Sequence, residues 1–211
     1  MPTAAVTGSS AAPAPVAGTY YDQGFWVERI TSTTAGTSAG VRSGVASGVG
    51  IWRGNAPGLG GFLFWSRFAI VTTMATQRTF VGITQSSADI GNVEPSTLID
   101  AVGIANDTAD TDFSIIHNDG SGSCTKIALG ANFPAQTANA TYDLYLYCAP
   151  YTSTMTYTVR RLDVAAEATG TISSNLPTDT QMMNMQVHTN NGATASAARI
   201  AFGTSWVWTP H

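Results

Sequence analysis

Residues 142–148 read Tyr-Asp-Leu-Tyr-Leu-Tyr-Cys, and residues 154–162 read Thr-Met-Thr-Tyr-Thr-Val-Arg-Arg-Leu. Successive side chains of a strand point to opposite faces. In the first stretch Tyr142, Leu144, Leu146 and Cys148 therefore share one face, and Asp143, Tyr145 and Tyr147 the other. In the second, Met155, Tyr157 and Val159 oppose Thr154, Thr156 and Thr158. Half-buried antiparallel strands alternate in this way.

Outward from this pair the same texture recurs. Further strands are expected over 61–72, 78–84, 100–105, 112–117, 124–129, 168–173, 181–189 and 196–208, each bounded by turn formers such as Asp119-Gly120 and Asn190-Asn191-Gly192. Only Glu94-Pro95-Ser96-Thr97-Leu98-Ile99 offers a helical turn. On simple alternation the last strand would place Ile200, Phe202, Trp206 and Trp208 on one apolar face. Many short, evenly spaced strands predict an all-β fold, an antiparallel β-sandwich of jelly-roll or concanavalin-like type, over residues 51–211. The run Gly58-Leu59-Gly60-Gly61 precedes a strand, so it marks a close backbone approach or a bulge and no phosphate cradle.

The N-terminal quarter differs. Residues 1–18 are Ala, Pro, Ser and Gly in low-complexity order, too poor in apolar surface to order alone. We expect a partner in a larger assembly to hold this arm; the alternative is an arm lying on its own domain. Residues 19–50 form an extended β arm or linker, with a strand over 19–30 that includes Phe25 and Val27 and a tandem at 41–48 that could pack Val41, Val45 and Val49 on one side.

Composition narrows function. The chain has 211 residues, of which 10% are charged and 48 are Ser or Thr, with Lys126 the single lysine. Coiled coils and helical bundles need far more Glu, Lys and Leu. The net charge is −4 with no basic cluster, which argues against nucleic-acid binding. No apolar run approaches the ~18 residues of a membrane span, and the N-terminus lacks the pattern of a signal peptide.

Catalytic signatures are absent from the sequence: no GxSxG, no phosphate loop, no HExxH and no CxxC. The three glutamates, Glu28, Glu94 and Glu167, stand far apart, so we expect no enzyme, no cofactor and no metal. The loop Asn106-Asp107-Thr108-Ala109-Asp110-Thr111-Asp112 spaces oxygen ligands as calcium loops do, but it lacks their glycine and closing glutamate. His117 and His188 each end a strand before a turn; they read as polar strand ends at solvent, or as a small metal or sugar site should those turns be neighbours. His211 is terminal. If 124–130 and 142–148 pair as a hairpin, Cys124 and Cys148 fall on opposite faces and stay free thiols. Arginines within strands suggest paired, partly buried guanidinium groups. Tyr145, Tyr147 and Tyr151 are candidate exposed aromatics, suited to a sugar ring or a protein neighbour unless another layer covers them.

The succession Trp52-Arg53-Gly54-Asn55-Ala56-Pro57-Gly58-Leu59-Gly60-Gly61-Phe62, Arg67-Phe68-Ala69-Ile70, Arg78-Thr79-Phe80-Val81-Gly82-Ile83, Asn92-Val93-Glu94-Pro95-Ser96, Ile115-Ile116-His117-Asn118-Asp119-Gly120-Ser121-Gly122 and Thr125-Lys126-Ile127-Ala128-Leu129-Gly130 resembles the β-rich domain of tail fibres and other virion structural proteins of tailed bacteriophages. That resemblance spans about residues 50–209. It implies a virion protein made in the host cytoplasm and carried on the particle surface. A homotrimeric short fibre or spike would attach through residues 1–18 and present its head to a host-surface glycan or protein. A capsid or tail decoration protein without a receptor is the alternative, and a carbohydrate-active enzyme on a lectin-like sandwich a lesser one. Loop residues Asn118, Asp119, Tyr151, Asn190 and Asn191 are the expected contacts.

Overall fold

In a computed structural model, residues 4–11, 19, 24, 26–43 and 50–210 are described. They fold as an all-β, antiparallel β-sandwich of two seven-stranded sheets, with one short 3-10 turn at Pro95–Thr97. In order across it, sheet A contains β1 (Ala4–Thr7), β4 (Ser38–Ser43), β13 (Asn184–Asn190), β6 (Arg78–Thr84), β7 (Ala101–Asn106), β8 (Ser114–Asn118) and β9 (Thr125–Ala128). Sheet B runs β12 (Ala166–Ile172), β11 (Met155–Arg161), β10 (Thr141–Cys148), β5 (Phe62–Ile70), β14 (Arg199–Trp208), β3 (Val27–Ile30) and β2 (Ser9–Ala11).

The core lies between the sheets and follows the alternation read from the sequence. Phe62, Phe64, Phe68 and Ile70 of β5 meet Tyr142, Leu144 and Leu146 of β10, and Val81, Ile83, Val102, Ile104 and Val187 close over them from sheet A. Full burial of such a side chain contributes roughly 1.5–3 kcal/mol. At one end Tyr142 packs on Phe68 with centroids 5.4 Å apart and edge-on to Phe113 at 5.2 Å, and its hydroxyl donates to the Pro134 carbonyl.

Three expectations change. Residues 124–130 and 142–148 are not a hairpin: β9 pairs with β8 in sheet A, and β10 with β5 and β11 in sheet B. The segment between them crosses from one sheet to the other, and both cysteines remain free in separate layers. The last strand does not keep one face, as described below. Residues 4–11 pair with the chain's own sheets, β1 along β4 and β2 along β3, which for these residues is the alternative of an arm lying on its own domain. Gly8 (φ +74°) turns the chain between the two edges where a Cβ would stand 2.5 Å from the Ala39 Cβ, so only glycine fits there. Residues 12–18, Phe25, Val45, Val49 and His211, which other expectations concern, lie outside the described residues.

Candidate binding face

The two outer faces of the sandwich are built very differently. On sheet B, register places residues in rungs across the strands. One rung runs Trp206, Trp65, Tyr145, Thr158 and Thr169, from β14 through β5, β10 and β11 to β12. The next runs Trp208, Leu63, Tyr147, Thr156 and Thr171. All point away from the core, because their strand neighbours Phe62, Phe64, Leu144, Leu146 and Val159 point into it. Trp208 is 54% exposed, Tyr147 47% and Trp206 40%. Trp65 stacks near Tyr145 with centroids 6.2 Å apart at 30°, and tilts against Trp206 at 6.1 Å. Cross-strand rungs lie ~4.8 Å apart strand to strand, so the rings form a shallow, continuous floor.

A β-bulge creates this floor. Phe202 pairs with Phe68 but Ser205 pairs with Ser66, so β14 spends one extra residue opposite β5. An extra residue reverses the side-chain alternation beyond it. Ile200 is therefore buried in the core and Phe202 packs against it, while Trp206 and Trp208 emerge on the outer face beside Trp65 and Leu63. Ser205 turns inward and meets the Ser66 hydroxyl at 2.7 Å. The expected common face of four apolar residues is thus divided between core and surface. Gly203, inside the strand run, was the available signal, since glycine in a strand often marks a bulge.

Charges on this face come in pairs. The Arg67 guanidinium donates from Nε and Nη2 to the two oxygens of Asp143, both at 2.7 Å. It also lies over the Trp65 ring at 5.8 Å. Arg160 pairs with Glu167 at 2.6 Å and lies over Tyr145 at 5.9 Å. Arg199 pairs with the fully buried Glu28. These contacts fit the sequence expectation of paired, partly buried arginines.

Sheet A is covered instead. Residues 85–99 cross its outer face and are fastened from below. Gln186 donates to the carbonyls of Ser86 and Ala88, at 2.9 and 3.1 Å. Arg42 donates to Ser87 O at 3.1 Å, and Arg78 to Asn92 Oδ1 at 2.7 Å and to Glu94 at 2.9 Å. Ile90 and Leu98 seal the cover against Phe80, Ala105 and Ile116. Asp89 sits over His188, Oδ1 to Nδ1 at 3.3 Å, and accepts from the Ser38 hydroxyl at 2.5 Å. Burial alone would raise the Asp89 pKa; hydrogen bonds from His188 and Ser38, with the charge of His188, outweigh it and hold the carboxyl down at about 2.

No family model matches this chain, and no curated protein matches it in sequence. Solved structures do match in shape. Arcelin-5, a lectin-like defence protein from Phaseolus vulgaris, aligns with a TM-score of 0.62 at 8% identity, covering 99% of this chain and 92% of its own. Peanut lectin aligns with a TM-score of 0.57 at 14% identity, over 98% and 93%. Alginate lyase A1-II′, of polysaccharide lyase family 7, aligns with a TM-score of 0.53 at 12% identity, over 88% and 80%. At such identities the likeness is one of fold: a lectin-like sandwich.

The residues expected as contacts are dispersed. Asn118, Asn190 and Asn191 are fully buried, so they are corrected from surface contacts to internal ones. Asn191 fastens two loops, donating to Thr34 O at 2.8 Å and Ser196 O at 2.9 Å and accepting from Thr37 N at 2.9 Å. Asn190 donates to Gly91 O at 3.2 Å beneath the cover of sheet A. Asp119 is half-buried and holds its own turn by accepting from Ser121 N. Tyr151 alone of the five stands free, 53% exposed at the tip of the β10–β11 hairpin, with φ +54°. A bulky residue in that region is a backbone outlier of the kind that gathers at recognition sites.

The histidines are also corrected. His117 and His188 are buried, not at solvent, and they are not neighbours: β6 and β7 separate β13 from β8. His117 meets Asn175 O at 3.0 Å, and His188 meets Gly91 O at 3.1 Å. In the aspartate loop, Asp107 and Asp110 clasp the Lys126 ammonium at 2.8 and 2.6 Å. The lone lysine thus occupies the position a cation would take. Burial, with the nearby charge of Asp107, pushes the Cys124 thiol up to about 12, far from a nucleophile's range. The exposed tryptophans were missed as site residues because the bulge was not read.

Proposed function

We propose that this chain is a non-catalytic recognition domain of a virion, a short fibre or spike, that attaches to a host-surface glycan through the outer face of sheet B. One observation carries the reading: five aromatic rings, Trp65, Trp206, Trp208, Tyr145 and Tyr147, collected on one outer sheet face, three of them 40–54% exposed. Aromatic faces stack on the apolar faces of sugar rings, and an isolated domain seldom leaves so many together without a partner.

Two further features support it. The three glutamates are each committed to an arginine, Glu28 to Arg199, Glu94 to Arg78 and Glu167 to Arg160. Glycoside cleavage by acid–base pairs needs two carboxyls facing one bond. The outer face of sheet A is filled by the chain's own residues 85–99, which leaves no room there for a substrate. The virion setting, the homotrimer and the anchoring role of the N-terminal arm rest on the sequence resemblance.

The test is binding of the labelled full chain to intact bacterial cells before and after enzymatic removal of surface glycans. Light scattering after size-exclusion chromatography reads the oligomer. Saturable binding that is lost on stripping, and lost in Trp206→Ala, is the expected result. A trimer that binds no cells would overturn attachment in favour of a decoration role.

A further inference from the structure

We infer that the aromatic face of sheet B takes an uncharged polysaccharide strand, laid across β14, β5, β10, β11 and β12 along the two rungs. This rests on the glycan-attachment reading and narrows it to a ligand class and a direction.

Direction follows from register. The rings are neighbours across strands, Trp206 to Trp65 to Tyr145, and the rungs continue into hydroxyls, Thr158 and Thr169 on one and Thr156 and Thr171 on the other. A ligand lying across the strands meets stacking surface first and hydrogen-bonding groups at the far end. A ligand lying along one strand would meet at most two rings in succession. Among the described residues Trp206, Tyr147 and Trp208 stay 40–54% exposed, and such an open floor suits an extended chain, which gains contact by length.

Charge decides the class. Every ionised group on this face is matched: Arg67 by Asp143, Arg160 by Glu167 and Arg199 by Glu28. Matched pairs leave no net field to draw a uronate or sulfated polymer. An anion approaching Arg67 or Arg160 meets a guanidinium whose charge a carboxylate at 2.6–2.7 Å already neutralises, and the Asp143 side chain, only 3% exposed, keeps Arg67 in place. An uncharged chain needs none of these pairs to open.

The experiment is native affinity electrophoresis of the full chain through gels containing either neutral polymers (dextran, galactomannan, hydroxyethylcellulose) or acidic ones (alginate, polygalacturonate), at low and high salt. Trp206→Ala and Tyr145→Ala are run beside Leu59→Ala, an exposed apolar residue on the Gly54–Gly61 loop that belongs to neither rung, and circular dichroism confirms that each folds. The expected result is retardation by at least one neutral polymer, insensitive to salt. Each ring variant should weaken it by roughly tenfold, and Leu59→Ala should leave it unchanged. Salt-sensitive retardation by acidic polymers alone would overturn the neutral-strand inference and leave the glycan reading standing. Retardation by no polymer, or retardation indifferent to both ring variants, would overturn the reading of the face itself. Concentration-dependent self-association abolished by Trp206→Ala would assign the face to a second copy of the chain.

Discussion

Arg67→Ala tests the electrostatic construction of the face. The Arg67 side chain is 38% exposed, while that of Asp143 beneath it is 3% exposed. An ion pair between two exposed groups is worth about 0–1 kcal/mol, whereas removing one partner of a buried pair costs about 3–5 kcal/mol. This pair is half of each, since solvent already screens the arginine. Truncating Arg67 should therefore cost about 2–3 kcal/mol, because the bidentate partner of a buried carboxylate disappears. In a chain of this size that lowers Tm by about 4–12 °C. Asp143→Asn should cost only about 1 kcal/mol, because the freed guanidinium can reach water. The double variant Arg67→Ala/Asp143→Asn should be more stable than Arg67→Ala alone, having no stranded charge, with a coupling of about 1–3 kcal/mol. Urea unfolding of the four proteins at neutral pH completes the cycle. A cost below about 0.5 kcal/mol for Arg67→Ala, or a double variant no more stable than that single one, would refute the claim that Asp143 is held in a dry site by one cation.

Two further outcomes follow from particular contacts. The Asp89 carboxyl is held at about 2 in the folded chain against an ordinary value of 3.8. A depressed folded pKa adds stability above the unfolded value and loses it as pH falls through the folded one, so the cover of sheet A should weaken between about pH 4 and pH 2. Asp89→Asn should flatten this loss, by up to about 2 kcal/mol, in urea unfolding across that range; an unchanged pH profile would remove Asp89 from the latch. Gly60 and Gly58 offer a matched pair of backbone tests. Both have positive φ, but a Cβ at Gly60 would lie 2.4 Å from Gly54 N while one at Gly58 meets nothing within 4 Å. Gly60→Ala should cost about 2 kcal/mol or more and Gly58→Ala about 1 kcal/mol in thermal unfolding; equal costs would mean the close approach of the two glycines does not matter.

Much of the sandwich is written in local alternation, and what alternation cannot see is what the sequence hid. Strand β11 follows its period of two in burial, and β10 follows it in side-chain direction, although Asp143 on its outer face is buried under Arg67. The Gly54–Gly60 approach was also legible, since a glycine run before a strand has few other uses. The bulge in β14 was not. Period-two reasoning assumes an unbroken ladder, and one unpaired residue reverses every assignment after it. The cover over sheet A was hidden for a related reason. The run Ala101-Val102-Gly103-Ile104-Ala105 is buried on both faces. Such unbroken apolar runs signal two covered faces, yet nothing local says which distant segment does the covering. Asn118, Asn190 and Asn191 misled because asparagines beside turns usually face water. Here their turns are pinned under other loops, and the buried amides of Asn190 and Asn191 serve as cross-links.

The contrast between the two outer faces bears directly on where a ligand can be gained cheaply. To reach sheet A, a ligand would have to lift residues 85–99. That breaks the bonds of Gln186, Arg42, Arg78 and Ser38, and exposes Ile90, Leu98 and Phe80. Its own contacts would have to replace all of these before any net affinity appeared. On sheet B a ligand displaces only water from rings whose positions are already set by the ladder beneath and by the guanidinium groups of Arg67 and Arg160. Little side-chain or loop order has to be created, so most of the stacking energy survives as binding. The same openness limits it, because rings exposed on one side leave the far side of the ligand in water. Affinity per site should then be modest, and strong attachment would come from several such faces engaging one polymer or one surface together. On the proposed reading, presentation in several copies would set the strength of attachment, and light scattering beside cell binding tests both together.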